Sequence, residues 1–382
     1  MSAHVDIVIV GGGIVGCACA AALAKHGQRV AIVEPSTIGG GATAAGMGHL
    51  VVMDDNPDEL ALTRLSLELW RQLVSQNGGE FHRHEFSQCG TLWVAADQEE
   101  MDVAVHKCRV LNEHGVNAEL LTAEQMYEHE PQLRPGLAGG VLVNDDALVY
   151  PPKSAQILLE QAMNFGTQLV RDRVIGLEEH GVRLQSGEII RAREIVIANG
   201  IGARDLVPDL PLRYKKGHLL ITDRYPRFIR HQLVELGYIK SAHAADGDSV
   251  AFNLQPRPTG QVFIGSSRQF DVTHKEVDPA MLKKMLARAI EYVPQLAQLK
   301  AIRSWTGFRA ATPDGMPYIG PHPRYKNVWM ATGHEGLGIT TSLATADLIK
   351  DAICEQTSAI SMLPFLPARM FNPETSIDPT QS

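Results

Sequence analysis

The start of the chain constrains its fold more than any other stretch. An apolar, β-branched run, VDIVIV at residues 5–10, leads directly into the glycine-rich turn GGGIVG. A stretch rich in alanine follows, and after Gly27 comes a second apolar run that ends at Glu34. This order of apolar runs, glycines and helix-forming residues predicts a strand, a tight turn, a helix and a second strand.

The glycines of the turn fit a site for the pyrophosphate of a dinucleotide. Gly11 permits the sharp turn, Gly13 lets the backbone approach the phosphates, and Gly16 allows close packing of helix and strand. The helix N-terminus then offers N–H groups to an anion. Glu34, roughly 20 residues further on, is placed to bind a ribose diol, and its charge argues against NADP. The alternative is a glycine-rich turn of any α/β protein, but strand, helix and acid are all in register.

Length, composition and charge narrow the class of protein. The 382 residues are 45% hydrophobic and 20% charged, which is typical of a globular protein with two intertwined domains or one elaborate domain. A net charge of −8 gives no electrostatic reason to expect a nucleic-acid partner. The first strand begins almost at Met1 and the apolar stretches are of strand length, so we expect a cytoplasmic protein.

The 5 cysteines include no CxxC pair, so neither a disulfide framework nor a metal site is predicted. Cys17 and Cys19 lie on the first predicted helix, two positions apart, and therefore point in different directions. We interpret both as small packing residues.

Beyond Glu34 the residue patterns predict further helices. They lie at residues 56–76, 97–114, 122–127, 151–165, 279–293 and 341–354. Asn56 or Asp58 would cap the first of them, because both side chains accept hydrogen bonds from backbone N–H groups. A strand at residues 89–94, followed by two of these helices, indicates an insertion with its own sheet.

The remaining predicted strands have two roles. A small antiparallel unit is predicted at residues 174–177, 182–184 and 188–190. Residues 194–198 are typical of a buried parallel strand that opens onto a cofactor crevice, or equally of a generic core strand. A mixed or antiparallel sheet that carries the substrate is predicted from residues 218–222, 238–241, 250–255 and 261–265, and one more strand from residues 327–331.

Two more glycine-rich stretches occur near opposite ends of the chain, at residues 39–49 and 332–341. The first is either a flexible loop or a segment that wraps the second phosphate of a large cofactor. The second joins a predicted strand to a predicted helix, which gives another helix N-terminus suited to an anion. Both ends of the chain are therefore expected to embrace one long cofactor.

Three of these stretches together resemble the D-amino-acid oxidase and glycine oxidase family of FAD-dependent amine oxidoreductases. They are the N-terminal glycine turn with Glu34, the segment FRAATPDGMPYIG that begins at Phe308, and GHEGLGI that begins at Gly333. The resemblance covers essentially the whole chain. The last motif is most similar to the flavoprotein subunits of hydrogen cyanide synthase, opine oxidase and D-hydroxyproline dehydrogenase.

The resemblance implies an α/β fold with two interleaved domains. A Rossmann-like FAD-binding domain of the glutathione reductase and D-amino-acid oxidase type would be discontinuous, and an α+β substrate-binding domain would be inserted into it. The FAD-binding domain is predicted from residues 1–86, 146–210 and 308–382. The substrate-binding domain is predicted from residues 87–145 and 211–307.

The resemblance also implies which residues bind FAD. Sarcosine oxidases of the same broad group bond the flavin through a cysteine, but no cysteine stands between Cys108 and Cys354, so non-covalent FAD is expected. The implied cofactor-binding residues are Gly11, Gly13, Ile14, Val15, Gly16, Glu34, Pro35, Thr43, Ala44, Gly46, Met47, Val174, Asn199, Gly200, Gly336, Leu337, Gly338, Ile339 and Thr340. No metal is expected.

Arg309 corresponds to the arginine with which the family grips the substrate carboxylate. The planar guanidinium pairs bidentately with a carboxylate and so orients the α-carbon. His49 and His334 are the other candidate catalytic residues, because both are expected to face the flavin, and a structural role is the alternative for each.

The predicted reaction is oxidation of a small amino or imino acid to the imine by hydride transfer to flavin, with D-hydroxyproline or D-proline as the first choice. The electron acceptor would be oxygen, a quinone or a partner redox subunit. The alternatives are a glycine or sarcosine-type oxidase, the flavoprotein subunit of an opine oxidase or hydrogen cyanide synthase hetero-oligomer, and a non-catalytic flavin-binding protein. The alternative to a free cytoplasmic location is attachment to the periphery of the inner membrane through a partner.

Overall fold

Two large sheets form the frame of the molecule. The computed structural model describes residues 4–53, 56–76, 81–237 and 247–371. Within these ranges the first sheet comprises β1 (His4–Val10), β2 (Val30–Val33), β8 (Gln168–Val170), β9 (Val174–Glu178), β10 (Gly181–Leu184), β11 (Ile189–Ile197), β17 (Tyr318–Pro321) and β18 (Val328–Thr332). The second comprises β4 (Thr91–Ala95), β5 (Ala118–Thr122), β6 (Gly139–Val143), β12 (Arg213–Thr222), β13 (Gln232–Glu235), β14 (Ser249–Pro256), β15 (Val262–Phe270) and β16 (Ala301–Ala311). A small separate pair is β3 (His49–Leu50) and β7 (Ala147–Leu148).

The helices lie between and around these strands. They are α1 (Ile14–Lys25), α2 (Ala42–Ala45), α3 (Pro57–Gln76), α4 (Phe81–His84), α5 (Gln98–Glu113), α6 (Ala123–His129), α7 (Pro151–Asn164), α8 (Ala203–Leu206), α9 (Pro279–Tyr292) and α10 (Ser342–Ile353). None of the helices in the described ranges is both long and apolar enough to cross a membrane.

The first sheet confirms the predicted N-terminal unit of strand, helix and strand. Strands β18, β11, β1, β2 and β8 are parallel neighbours in that order. The apolar run of β1 has almost no solvent exposure, as expected for a parallel strand covered on both faces. Cys17 and Cys19 on α1 are buried in the same core, which confirms their packing role. The fold is α/β with a Rossmann-like parallel core, as predicted.

The predicted helix ends agree with the structure where capping residues mark them. Asn56 accepts a hydrogen bond from the Glu59 N–H at 2.8 Å and so caps α3. Asp97 caps α5 by accepting from the Glu100 N–H at 2.9 Å. Both side chains satisfy donors that the first helical turn leaves free.

The second sheet corrects the prediction of an insertion with its own sheet. Strands β4, β6 and β5 continue the sheet of β16, β12, β15, β14 and β13, because β13 pairs in parallel with β4. The sheet is therefore mixed. Residue patterns identify a strand but not its partner, and β13 supplies the hydrogen bonds that the edge of β4 requires. The predicted strand at residues 238–241 lies outside the described residues.

One further strand prediction is wrong, and one long strand was missed. The segments predicted separately at residues 188–190 and 194–198 form one strand, β11, whose first half alternates between exposed and buried residues. Arg191 and Arg193 interrupt the apolar pattern in this half, which pairs with β10 at residues 189–191, whereas β18 pairs only with residues 195–197. The long strand β16 was not predicted at all. It crosses the predicted domain boundary at residue 308, and the domain division itself stays a prediction.

Candidate active site

The turn between β1 and α1 needs glycine at two positions because of the protein's own backbone. Gly11 has a φ of +105°, and a Cβ there would lie 2.7 Å from the Cα of Asn199. A Cβ on Gly16 would lie 2.0 Å from the carbonyl oxygen of Gly11. Such contacts exclude any side chain. The two glycines thus hold the start of α1 against the carboxyl ends of β1 and β11.

Gly13 is different, because the protein itself does not require a glycine there. Within 4 Å of a Cβ at Gly13 the described structure has only the Thr43 Oγ1, at 3.4 Å. The same hydroxyl oxygen accepts the Ile14 N–H at 3.1 Å. The open side of Gly13 therefore faces away from the core at the N-terminus of α1. This space fits a phosphate group that approaches the backbone closely.

Glu34 lies at the carboxyl end of β2 and is held by the same turn. Its Oε2 accepts the Gly12 N–H at 2.8 Å, and its Oε1 accepts the Ser36 N–H at 2.9 Å. The side chain remains partly exposed, beside the exposed Pro35. A carboxylate has about four acceptor positions, so acceptor capacity remains for ribose hydroxyls.

Other predicted cofactor residues line the same edge of the parallel sheet or its core. Asn199 and Gly200 follow β11, and the Gly200 carbonyl accepts the Thr332 hydroxyl at 3.0 Å. The Asn199 Oδ1 is buried and has no hydrogen-bond partner within the described residues. Val174 is buried on β9, in the core below this edge. Contact of these residues with FAD stays a prediction.

The two glycine-rich stretches at opposite ends of the chain lie against each other. A Cβ on Gly46 would be 2.6 Å from the Ile339 Cδ1. The Thr340 hydroxyl donates to the His49 carbonyl at 2.9 Å, and the Trp70 Nε1–H donates to the Ile339 carbonyl at 3.3 Å. The Thr340 hydroxyl proton is therefore used within the protein. The structure thus brings the predicted residues Thr43, Ala44, Gly46 and Met47 next to the loop of Gly336, Leu337, Gly338, Ile339 and Thr340.

Arg309 lies between the second sheet and this loop. Its Nη1 donates to the Ser267 carbonyl at 3.1 Å. A Cβ on Gly217 would lie 3.0 Å from its Nη2, and a Cβ on Gly336 would lie 3.8 Å from its Nε. The side chain is half-buried, and its strand packs on α2, since a Cβ on Gly307 would lie 2.2 Å from the Ala45 Cβ. Arg309 therefore stands where the two sheets meet.

An ion pair between a buried lysine and a partly buried glutamate lies beside Arg309. The Lys215 Nζ is 2.5 Å from the Glu335 Oε1, and Lys215 is directly opposite Arg309 in the pairing of β12 with β16. Burial lowers the pKa of Lys215. Burial also disfavours the Glu335 carboxylate, but the charges of Lys215 and Arg309 hold its pKa below the usual value. The contact with Lys215 and the charge of Arg309 therefore favour the ionised form of the Glu335 carboxylate.

The two candidate histidines are both bonded within the protein. The His49 Nδ1 bonds the Gln232 Oε1, and burial lowers the pKa of His49 to about 4. The His334 Nε2 lies 2.9 Å from the Thr345 Oγ1, and burial lowers the pKa of His334 to about 4. Both rings are therefore neutral at neutral pH. A catalytic role for either histidine stays a prediction.

We did not predict a role for Lys215, Gly217 or Ser267 from the sequence. Glu335 also received no role, although it lies in the GHEGLGI motif. Lys215 and Gly217 alternate along β12, and Gly217 pairs with Gly307. For Lys215 and Gly217 the only sequence signal is their spacing of two, which places both residues on one face of the strand. No sequence signal indicates that β12 lies beside β16.

The parallel sheet, the glycine turn and the acid at the end of β2 define a dinucleotide-binding enzyme. A family model described as "DAO: FAD dependent oxidoreductase" matches residues 6–352. The chain belongs to this family of FAD-dependent oxidoreductases, and FAD is its cofactor.

The chain is also similar to individual proteins along nearly its whole length. It is 28% identical to a glycine oxidase of Geobacillus kaustophilus, over 96% of this chain and 97% of that protein. It is 27% identical to hydrogen cyanide synthase subunit HcnC of Pseudomonas aeruginosa, over 98% of both. The crystal structure of glycine oxidase from Geobacillus kaustophilus aligns with a TM-score of 0.85 at 26% identity, covering 96% of this chain and 99% of that one.

A second solved structure supports the fold alone. The L-proline dehydrogenase from P. horikoshii aligns with a TM-score of 0.86 at 22% identity, covering 97% of this chain and 99% of that one. The predictions of an FAD-dependent enzyme and of its family are confirmed, and the relatives are amine oxidoreductases. Non-covalent attachment of FAD stays a prediction.

Proposed function

We propose that this enzyme oxidises a small amino or imino acid to the imine, with the substrate carboxylate bound by Arg309. The observation that carries the proposal is the half-buried Arg309 guanidinium between two glycines, Gly217 and Gly336, where the sheets meet. Neither glycine has a side chain to cover the guanidinium. The name of one relative supports this substrate class, since glycine oxidase acts on an amino acid.

Within the described residues, Arg309 keeps donors free for a carboxylate. A guanidinium has five N–H donors, of which the Nη1 is engaged by the Ser267 carbonyl. Its Nε and Nη2 form the kind of planar fork that pairs with both oxygens of a carboxylate. The neighbouring charges of Lys215 and Glu335 offset each other, so the guanidinium of Arg309, with the charge of Arg268 nearby, leaves the site positive and attracts the substrate carboxylate.

The residues of the glycine turn would hold the cofactor. The N–H groups of the first turn of α1, beside Gly13, would bind the pyrophosphate, and Glu34 would accept hydrogen bonds from the ribose. When bound, FAD supplies the chemistry of accepting a hydride. The protein's contribution is to fix the substrate carboxylate, and with it the α-carbon, in one orientation.

No general base is required from the protein in this proposal. His49 and His334 are both neutral and hydrogen-bonded to other residues, and within the described part of the chain neither is hydrogen-bonded to Arg309. The substrate amine would lose its proton to water before or during binding. Activity should then rise with pH as the neutral amine becomes available.

D-hydroxyproline or D-proline is our first choice of substrate, because of the GHEGLGI motif that begins at Gly333. Glycine is the second candidate, because a glycine oxidase is among the relatives with 28% identity. Since HcnC is named as a subunit of an enzyme, we propose that a partner redox subunit or a quinone accepts the electrons, with oxygen as the alternative. A cytoplasmic location, or attachment to the inner membrane through that partner, is part of the same proposal.

The test is anaerobic mixing of the purified, FAD-loaded protein with cis-4-hydroxy-D-proline, D-proline, glycine, sarcosine and an opine. Bleaching of the flavin absorbance by one amino or imino acid would identify the substrate. Readmission of air would show whether oxygen reoxidises the flavin. A fully loaded flavin that none of these compounds bleaches, even with a candidate partner subunit present, would contradict the proposal.

A further inference from the structure

His218 lies directly behind the guanidinium of Arg309, on the other face of the second sheet. The guanidinium lies over Gly217, the residue before His218 on β12. Because successive residues of a strand point to opposite faces, the His218 side chain points away from Arg309. His218 is fully buried, and no step of the proposed reaction uses it.

The pairing of β12 with β15 is irregular at this point. Lys216 pairs with Gln269 and Leu220 with Ile264, so four residue steps on β12 (220 − 216) face five on β15 (269 − 264). One extra residue in a strand is a β-bulge, which leaves ladder donors without a backbone partner. In this bulge the His218 backbone N–H donates to the Ser267 Oγ at 2.9 Å.

The imidazole of His218 bonds the same hydroxyl. Its Nε2 accepts the Asp278 N–H at 3.0 Å, so in the neutral ring the Nδ1 carries the proton. The Nδ1 therefore donates to the Ser267 Oγ, at 2.9 Å. Asp278 is itself fixed as the N-cap of α9, because its carboxylate accepts the Ala280 N–H at 2.9 Å. Burial lowers the pKa of His218, which keeps the ring neutral.

These contacts form a continuous path from α9 to the substrate site. The hydroxyl of Ser267 is fixed by His218, and the carbonyl of the same Ser267 accepts the Arg309 Nη1–H at 3.1 Å. We infer that His218 is a positioning residue for Arg309, acting through Ser267 to set the orientation of the guanidinium that meets the substrate carboxylate. This inference rests on the proposed function of Arg309 as the carboxylate-binding residue.

The first test measures carboxylate binding without turnover. Pyrrole-2-carboxylate is a suitable probe, since it carries a carboxylate but no oxidisable amine, and we would follow its binding through the flavin absorbance or by calorimetry. His218→Phe and Ser267→Ala are each expected to raise its Kd about tenfold, because misorientation weakens a charge-assisted hydrogen bond. FAD content should stay within about twofold of wild type, because neither residue is among those expected to bind the cofactor. This separates positioning from general damage.

Two further variants make the test specific. In His218→Asn the side-chain amide retains a donor near the Nδ1 position, so the Kd should rise only about threefold. The matched control is His322→Phe, another buried histidine, which follows β17 in the first sheet and whose Nδ1 accepts the Arg324 N–H at 3.2 Å. His322→Phe should leave the Kd of the probe unchanged. Wild-type affinity in both Ser267→Ala and His218→Asn would overturn the inference, even if His218→Phe failed to fold.

The link between His218 and Ser267 is also measured without any ligand. A double-mutant cycle of His218→Asn and Ser267→Ala in urea unfolding should give a coupling free energy clearly different from zero. Additive effects would overturn the inference. Wild-type protein that binds no carboxylate probe would instead contradict the proposed function, so the two failures are distinguishable.

Discussion

The ammonium group of Lys215 and the carboxylate of Glu335 are 2.5 Å apart, and they join the second sheet to the loop that follows β18. Glu335 has a φ of +48° and donates its backbone N–H to the Ala310 carbonyl at 3.1 Å. The loop is therefore attached to β16 at the residue next to Arg309. The ion pair thereby fixes the position of the glycine-rich loop relative to Arg309.

We expect Glu335→Gln to destabilise the protein and weaken substrate binding together. The substitution leaves the buried Lys215 ammonium opposite a neutral amide, which should cost about 2 kcal/mol, since Glu335 keeps some contact with water. The free energy of urea unfolding and the KM of the substrate measure the two effects. Glu160→Gln, in the exposed pair with Arg83, is the control and should change stability by less than about 0.5 kcal/mol. Equal stability of Glu335→Gln and wild type would rule out this role for the pair.

Arg309→Lys should lower kcat/KM by about 100-fold, mainly through a higher KM, because an ammonium cannot form the bidentate fork. FAD content should be unchanged. Arg303→Lys is the matched control, since Arg303 lies on the same strand and is exposed. Steady-state kinetics of the two variants measure KM and kcat/KM. Wild-type kinetics in a folded Arg309→Lys enzyme would show that Arg309 does not bind the carboxylate.

Alanine substitution should have different effects at two glycines of the N-terminal turn: it should prevent folding at Gly16 but weaken only FAD binding at Gly13. Gly16→Ala should fail to give folded protein, because its Cβ would lie 2.0 Å from the Gly11 carbonyl oxygen. Gly13→Ala should fold with nearly normal stability, since Gly13 has an ordinary φ of −70° and open space beside it. Its FAD affinity should fall at least about tenfold, because the methyl group occupies the phosphate space. Flavin fluorescence titration and thermal unfolding measure these effects, and tight FAD binding by Gly13→Ala would show that the phosphates lie elsewhere.

His334 should make the stability depend on pH. Burial lowers its pKa from 6.5 to about 4, so below pH 6.5 the unfolded chain binds a proton that the folded protein does not. The stabilisation is fully present above pH 6.5 and is lost as the pH falls toward 4. Between pH 7 and pH 5 wild type should lose about 2 kcal/mol more than His334→Gln in the free energy of unfolding. If the free energy of unfolding changed with pH equally in the two proteins, the claim that burial lowers the pKa of His334 would be contradicted.

The sequence predicted those parts of the structure that depend on local pattern. The buried run before Gly11 and the glycine turn were identified correctly, because a parallel strand and a helix N-terminus each leave a local signature. Ribose binding by Glu34 stays a prediction. Helix α3 was identified with its capping residue Asn56, since a cap is also local.

Pairing across long sequence separations was not predictable. Nothing in the segment around Thr91 indicates that its partner is Gln232. Likewise Arg309 was identified by family resemblance, but its neighbours Lys215 and Ser267 come from other strands, and only the sheet register brings them together. The first three residues of β16, Ala301, Ile302 and Arg303, are all exposed. They show no alternation of apolar and polar side chains, so no strand was predicted there.

The most direct measurement compares flavin reduction by an amino or imino acid with reduction by the same compound without its carboxylate. D-proline and pyrrolidine are one such pair, and glycine and methylamine are another. In anaerobic stopped-flow mixing we expect the carboxylate to raise the second-order rate of flavin bleaching at least about 100-fold, because only it pairs with Arg309. Equal rates for both members of the pair that bleaches the flavin would contradict the central claim that Arg309 binds the substrate carboxylate.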